Sequence, residues 1–456
     1  VETITNFMNL VNPKTGQRIA DDPFFAMIET VNEATGPRWI RESKIAEQLP
    51  AYFRDKLVGR WCDYLAEKYG SEDKLKEAWA QPGLTVLAEG ESLAARTIGL
   101  HPVLDEFDKY SAARSKDLLE FLVSLDIAFY QRMREVYLQA GFKGPTHYGD
   151  ISLCPGGNAD YLWTASRLGD FWSDHGYPSA RTTPLGWPTL DCVKTCIREG
   201  VTPHPYAWDR PYWKAEWRTR NAERILDPLF CAVYFSLTGI DGYTPHSWEM
   251  RYDADWYGAT GLLANQVTVF DLNGDLPWQM VYRAAGRLFH SSEIKPLTDV
   301  ETLRRFLTNA NVTNHQVDRQ HAKRQLVVNT EHFSAVAADH PGRYEFDDLA
   351  IDIASEGPVV VIVERTDGEG VEYDYEITAV GQAGEFISGE PIKWDPLEYV
   401  RGQVTFKNGA EVEAVTWLRE DGTTMRQLPA SGPAVAFRSA SPQAPKGVRL
   451  YRVKLK

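Results

Sequence analysis

Residues 24–33 read FFAMIETVNE, and this stretch decides the fold that the sequence predicts. It is a compact apolar run that ends in Asn32 and Glu33, and such a run is typical of a buried strand. A strand that stops on polar residues delivers them at its carboxyl end, where barrel enzymes carry their chemistry. Glu33 is therefore the first candidate catalytic residue.

Strand-like and helical stretches alternate from here to about residue 290. Alternation of strands and helices is typical of a parallel sheet, so an α/β fold is predicted for residues 1–295. The further strand-like runs lie at 145–151, 170–176, 212–217 and 239–247. The helical stretches, recognised by their amphipathic spacing, lie at 47–69, 74–79, 112–140, 220–238 and 276–289.

The pattern of apolar and polar residues changes after residue 295. A polar linker, 296–325, is followed by short alternating runs over residues 326–456. The dipeptides Asp367-Gly368, Asn408-Gly409 and Asp421-Gly422, which suit tight hairpin turns, punctuate this part of the chain. We therefore expect an all-β sandwich at 326–456, with an accessory role.

The composition argues against several classes of partner. The formal net charge of -14 disfavours nucleic acid and anionic membranes, since either needs a basic surface. It is compatible with a neutral substrate such as a sugar. The 14 Trp and 21 Tyr offer aromatic faces that suit sugar C–H surfaces, although most aromatic residues in a domain belong to its core. No apolar run reaches the roughly 20 residues that span a bilayer, so no membrane span is expected.

The five cysteines form neither a disulfide framework nor a redox motif. Cys192 and Cys196 lie one helical turn apart without a second ligand pair, so we interpret them as buried thiols rather than as half of a metal site. The sequence offers no other cluster of His, Cys and carboxylate residues. No metal and no cofactor are therefore expected.

Two strand-end glutamates have the chemistry that glycoside hydrolysis needs. The reaction requires two carboxyl groups, one on each side of the anomeric carbon. Glu33 ends the run quoted above, and Glu216 ends the run PYWKAE at residues 211–216. Asn32, directly before Glu33, suits a hydrogen bond to the sugar 2-hydroxyl that strengthens in the transition state. The alternative for either glutamate is an ordinary surface residue at a strand end.

Four segments together resemble clan A of the glycoside hydrolases, the (β/α)8 enzymes that include many cellulases, mannanases and β-galactosidases. Their order and spacing agree with the clan over about residues 20–290. The resemblance implies a (β/α)8 TIM barrel, with strands four to eight in this chain, followed by the β-sandwich domain. The segments are IETVNE (28–33), like the fourth strand, DFWSDHGYP (170–178), like the sixth, RPYWKAEW (210–217), like the seventh, and DGYTPHSW (241–248), like the eighth.

The resemblance implies a role for each matching residue. Glu33 becomes the acid/base and Glu216 the nucleophile of a retaining mechanism, with their carboxyl groups about 5 to 5.5 Å apart. The expected substrate-binding residues are Asn32, His175, Tyr177 and Trp248, with His246 and Trp217 added because they lie beside the same strands. Core packing is an equally good interpretation of Trp217. Weaker candidates are Glu29, expected to lie deeper and to pair with a basic residue, and His147, in the run at 145–151 that corresponds to the fifth strand of the barrel.

The position of Glu33 near the start of the sequence carries a further expectation. Only residues 1–22 precede its strand-like run, whereas three strand–helix units precede the acid/base strand in the clan. We therefore expect an N-terminal fragment or a second chain to complete the barrel. The oligomeric state stays open, a homo-oligomer included.

The sequence thus predicts a retaining glycoside hydrolase that cleaves β-glycosidic bonds of a poly- or oligosaccharide, located outside the cell or at its surface. The alternative comes from another class: a non-catalytic carbohydrate-binding or assembly protein that keeps the barrel as a scaffold. Activity on aryl β-glycosides that depends on Glu216 would separate the two.

Overall fold

The structure is a computed structural model, which describes residues 2–32, 48–100, 109–147, 169–176, 210–217, 224–246, 276–296, 311–312, 315–316, 325–366, 370–381, 400–419, 421–438 and 448–456. The chain divides into two compact units. Unit 1 is Val1–His175 with Asp209–Trp213, and unit 2 is Gly176–Trp208 with Lys214–Lys456.

Within the described residues there are six α-helices and eighteen strands. The helices are α1 (Glu2–Met8), α2 (Ala51–Tyr69), α3 (Glu72–Trp79), α4 (Ala112–Gln139), α5 (Asp227–Thr238) and α6 (Leu276–Ser291). The first strands are β1 (Ile28–Glu29), β2 (Thr146–His147), β3 (Trp172–Gly176), β4 (Tyr212–Trp217) and β5 (Gly242–Pro245). The later strands are β6 (Asn311–Val312), β7 (His315–Gln316), β8 (Gln325–Asn329), β9 (Phe333–Ala338), β10 (Gly342–Glu345), β11 (Leu349–Ile353), β12 (Val359–Arg365), β13 (Tyr375–Gly381), β14 (Arg401–Phe406), β15 (Val412–Leu418), β16 (Thr424–Leu428), β17 (Ala434–Arg438) and β18 (Val448–Leu455).

Local sequence signals set the helix ends in unit 1. Gly70 ends α2 in a left-handed conformation, with φ of 74°, which glycine adopts without strain. Ser71 then caps α3, because its side chain accepts a hydrogen bond from a backbone N–H of the first turn. Ser111 caps α4 in the same way. Helices α2, α3 and α4 bury a common core that includes Trp61 and Trp79.

A buried polar network lies beside that core. The carboxylate of Asp117 on α4 accepts hydrogen bonds from Lys68 Nζ at 2.8 Å, Tyr69 OH at 2.6 Å and Trp79 Nε1 at 2.7 Å. Asp117 is only 3% exposed. Buried charge is tolerated when its hydrogen bonds are satisfied, so this network fixes how the three helices meet.

The C-terminal strands form two antiparallel sheets in unit 2. One has the order β10-β11-β14-β17, and the other has the order β16-β15-β18-β13-β12-β9-β8-β7-β6. Apolar residues of both sheets, such as Ile351 and Phe437 from the first and Val361 and Ile377 from the second, belong to one core. The burial of apolar side chains from both sheets therefore drives this part of the fold.

Helix α6 covers the larger sheet, where it packs on β12, β13 and β18. Strand β12 consequently has five consecutive buried residues, Val359 to Val363, instead of an alternating pattern. Arg287 on α6 donates hydrogen bonds to Glu364 on β12 and to Glu376 on β13. Apolar burial and these charge-assisted bonds together hold the helix on the sheet.

The predicted (β/α)8 TIM barrel is wrong for the described part of the chain. There, β1 and β2 form a parallel sheet of two strands, while β3, β4 and β5 form a separate sheet of three. The remaining strands lie in the two antiparallel sheets of unit 2. Alternating strand and helix patterns in a sequence predict only local elements. Closure into a barrel depends on which distant strands pair, and this alternation does not determine that pairing. An N-terminal fragment or second chain was expected only in order to complete that barrel, so this expectation no longer has a reason.

No helix among the described residues is both long enough and apolar enough to cross a membrane. The division of the sequence at 1–295, 296–325 and 326–456 stays a prediction.

Candidate active site

Glu216 lies near the carboxyl end of β4, whose sequence YWKAEW is rich in the aromatic residues that favour strands. Side chains alternate across a strand, so Tyr212, Lys214 and Glu216 share one face. Tyr212 and Lys214 are 5% and 4% exposed. The Glu216 side chain is 17% exposed. This face of β4 is therefore buried along its length and becomes accessible at a carboxylate.

His246 follows β5, the strand next to β4. Its Nδ1 atom lies 3.9 Å from Glu216 Oε2, and its side chain is 29% exposed. That separation is within ion-pair range but longer than a hydrogen bond. Two of the residues predicted for the site are thus brought together by the ends of the neighbouring strands β4 and β5.

Glu216 and His246 together present an accessible carboxylate beside an imidazole nitrogen. Such a carboxylate can accept hydrogen bonds from ligand hydroxyls, take a proton as a base or attack an electrophilic carbon. No role was predicted for Lys214, although its position two residues before Glu216 indicates that it shares the Glu216 face.

The other predicted site residues differ in how far the structure describes them. Asn32 is exposed and lies in the loop after β1. His175 belongs to β3 and Trp217 to β4, but their side chains lie outside the described part. Glu33, Tyr177 and Trp248 also lie outside the described residues. The predicted separation of about 5 to 5.5 Å between the carboxyl groups of Glu33 and Glu216 stays a prediction.

Glu29 and its surroundings form a polar group in unit 1. Strands β1 and β2 run parallel, with Glu29 opposite His147. Glu29 Oε2 accepts a hydrogen bond from Ser173 Oγ at 3.0 Å, and Ser173 is 4% exposed. A partner for Glu29 was expected to be a basic residue. Ser173 carried no sequence signal for this role, because the contact joins residues far apart in the chain.

His147 was a weak candidate for sugar contact, and its burial contradicts that role. The side chain is 1% exposed. Burial, reinforced by the positive charge of Arg210, lowers the pKa of His147 to about 3, against a smaller opposite effect of Asp170. A Cβ on the neighbouring Gly169 would lie 2.5 Å from the imidazole Cδ2, so the ring is closely enclosed. His147 is therefore a neutral core histidine.

Among the residues that the structure describes, no group of three or more His, Cys, Asp or Glu side chains is arranged to hold a metal ion. Cys62 and Cys231 are buried and form no disulfide bond. Cys192 and Cys196 lie outside the described part, so their interpretation as thiols stays a prediction.

The sequence matches no model of a protein family, and it matches no curated protein.

Proposed function

We propose that this protein is a retaining glycoside hydrolase that uses Glu216 as its nucleophile and Glu33 as its acid/base. The observation that supports this most directly is the accessible carboxylate of Glu216 at the end of an otherwise buried strand face. A retaining nucleophile has to reach the anomeric carbon of a bound sugar, and a carboxylate that solvent reaches meets this requirement. The quoted segments around Glu33 and Glu216 supply the second support.

The proposed reaction is a double displacement. A Glu216 oxygen attacks the anomeric carbon, the glycosidic C–O bond breaks, and Glu33 transfers its proton to the leaving oxygen. Water then attacks the same carbon while Glu33 takes its proton, and Glu216 leaves as a carboxylate. Each bond to the anomeric carbon is replaced from the opposite side, so the product keeps the configuration of the substrate.

The proposed substrate is a β-linked poly- or oligosaccharide. A neutral ligand suits a chain with a formal net charge of -14. Asn32 is exposed, as a residue that binds the sugar 2-hydroxyl has to be. His175, Tyr177, Trp248 and Trp217 remain proposed substrate-binding residues on the strength of the motifs alone. A location outside the cell or at its surface belongs to the same proposal.

The test is hydrolysis of a panel of aryl β-glycosides by the whole chain and by Glu216→Gln. We expect the substitution to lower kcat by at least about a thousandfold, since an amide cannot form the glycosyl-enzyme. Glu413→Gln is a matched control: Glu413 lies on a strand, β15, and also has a nitrogen, Lys454 Nζ, 3.9 Å from its carboxylate. This control should retain full activity.

A second measurement identifies the nucleophile directly. A 2-deoxy-2-fluoro aryl glycoside should label the wild-type protein once, and peptide mass mapping should locate the sugar on Glu216. Unchanged activity of Glu216→Gln, or a label on another residue, would reject the assignment. Absence of activity on every glycan tested, together with glycan binding, would favour the non-catalytic alternative.

A further inference from the structure

His246 is presented by a stiff piece of backbone. It directly follows Pro245, the last residue of β5. Proline fixes its own φ near -65° and restricts the residue before it, Thr244, to extended conformations. The backbone that leads into His246 therefore has little freedom, and the direction in which the imidazole approaches Glu216 is set by the strand.

The closest approach of the two side chains, 3.9 Å, is between one oxygen of the carboxylate, Oε2, and His246 Nδ1. A carboxylate that acts as a nucleophile attacks through one oxygen. An N–H group on the other oxygen fixes the rotation of the carboxylate and leaves the first oxygen for the reacting carbon. At 3.9 Å the contact is longer than a hydrogen bond, but the carboxylate charge is close enough to favour an N–H on the nitrogen that faces it. In free enzymes such contacts often tighten to a hydrogen bond when substrate binds.

Two charged groups on β4 and β5, Lys214 and Asp241, lie away from this contact along their strands. Lys214 lies on the same face of β4, about 7 Å along the strand from Glu216, and is buried. Asp241 is exposed at the start of β5, away from His246 at its other end. β3 carries Asp174 and His175, and β4 ends with Trp217. His246 is thus a partly exposed nitrogen group at the accessible end of the Glu216 face.

We propose that His246 is a positioning residue for Glu216: its Nδ1–H holds Oε2, so that Oε1 attacks the anomeric carbon. The role differs from sugar binding, which the motifs suggested for His246. It rests on the proposed function, because it assigns the nucleophile's orientation in that same reaction. It also predicts that His246 carries its proton on Nδ1, the less common neutral tautomer, even without substrate.

The kinetic test compares His246→Ala with the wild-type chain. Misorientation of the nucleophile should lower kcat by about ten- to a hundredfold and change KM by less than about threefold. Labelling by the fluoro-glycoside should slow by the same factor as kcat. Added imidazole should restore part of the rate in His246→Ala, because the site is partly open to solvent. His340→Ala is the matched control, since His340 is also partly exposed and lies 2.9 Å from a carboxylate, that of Asp339.

Two kinetic outcomes would overturn the proposal. One is wild-type kcat in His246→Ala while Glu216→Gln is inactive, which would leave the proposed function intact. The other is a slow His246→Ala variant that imidazole does not rescue, whose loss would then be structural. A rise in KM without a fall in kcat would return His246 to sugar binding and would also reject the positioning role.

A measurement that needs no activity keeps the two proposals separable. In ¹⁵N spectra of the imidazole nitrogens at pH 8, His246 should show the Nδ1–H tautomer in the wild-type chain and the Nε2–H tautomer in Glu216→Leu. The signal of His340 should not change. If His246 has the same tautomer in both proteins, the contact with Glu216 does not orient either group, and the positioning role is rejected whatever the substrate proves to be.

Discussion

The guanidinium of Arg114 donates hydrogen bonds to both carboxylate oxygens of Glu91, at 2.8 and 2.6 Å. The two side chains are 1% and 10% exposed. Burial favours the neutral form of Glu91, but the bonds from Arg114 and from two backbone N–H groups hold the pKa of Glu91 below its usual value. This pair ties the loop that carries Glu91 to the first turn of α4.

Arg114→Met should destabilise the protein by about 3 to 5 kcal/mol, because it leaves the Glu91 carboxylate buried without its cation. The free energy of unfolding in urea measures this. Arg343→Met is the control, since the side chain of Arg343 is 52% exposed in its ion pairs and its loss should destabilise the protein far less than the loss of Arg114. Equal effects of the two substitutions would contradict the importance of burial.

Arg287→Met should loosen α6 from the sheet beneath it. Burial already raises the pKa of Glu364, and removing Arg287 leaves both Glu364 and Glu376 without this cation. We expect a loss of about 2 kcal/mol at pH 8. The loss should shrink toward pH 5, because Glu364, whose pKa is raised by burial, then takes up a proton and no longer needs the cation. Urea titrations of both proteins at the two pH values give the comparison, and a loss that grows on acidification would show that the carboxylates are not its cause.

Two Gly→Ala substitutions should act in opposite directions. A Cβ at Gly402 on β14 would lie 2.1 Å from the carbonyl oxygen of Asp352 and 2.6 Å from the Phe437 ring. Gly402→Ala should therefore destabilise by more than about 2 kcal/mol. Gly286 on α6 has nothing within 4 Å of such a Cβ, and alanine favours helix, so Gly286→Ala should stabilise by about 0.5 to 1 kcal/mol. Thermal and urea unfolding decide both signs.

Acidification should destabilise the fold through His147. The folded pKa is about 3, whereas an unfolded histidine titrates near 6.5. The unfolded chain therefore binds the extra proton between these values. This effect leaves the free energy of unfolding at its highest above about pH 6.5. It lowers that free energy by about 1.4 kcal/mol per pH unit between about pH 6.5 and about pH 3.

The matching variant is His147→Gln, which has no group that titrates in this range. Between pH 4 and 6, the free energy of unfolding should rise less steeply with pH in His147→Gln than in the wild-type chain. The difference in slope should correspond to nearly one proton, the one that the unfolded wild-type chain binds at His147. The carboxylates contribute equally to both proteins, so the difference isolates the histidine. Parallel curves would mean that His147 keeps an ordinary pKa in the folded protein.

The sequence predicted local elements well. The helical stretches at 47–69, 112–140 and 276–289 correspond to α2, α4 and α6, because apolar spacing and capping residues are local signals. The strand-like run at 212–217 is β4 in the structure. The barrel was wrong, because a strand's sequence does not state which other strand it pairs with, and a short resemblance at strand ends does not supply that information.

What the sequence by itself determined is therefore the type of each element and the position of Glu216 at a strand end. Both follow from the periodicity of apolar residues, which is a local signal that extends over only a few residues of the chain. Tertiary structure alone decided that His246 approaches Glu216, that Ser173 bonds Glu29 and that His147 is too buried to meet a ligand. These relations join residues up to 144 positions apart, and only the packing of distant segments fixes them.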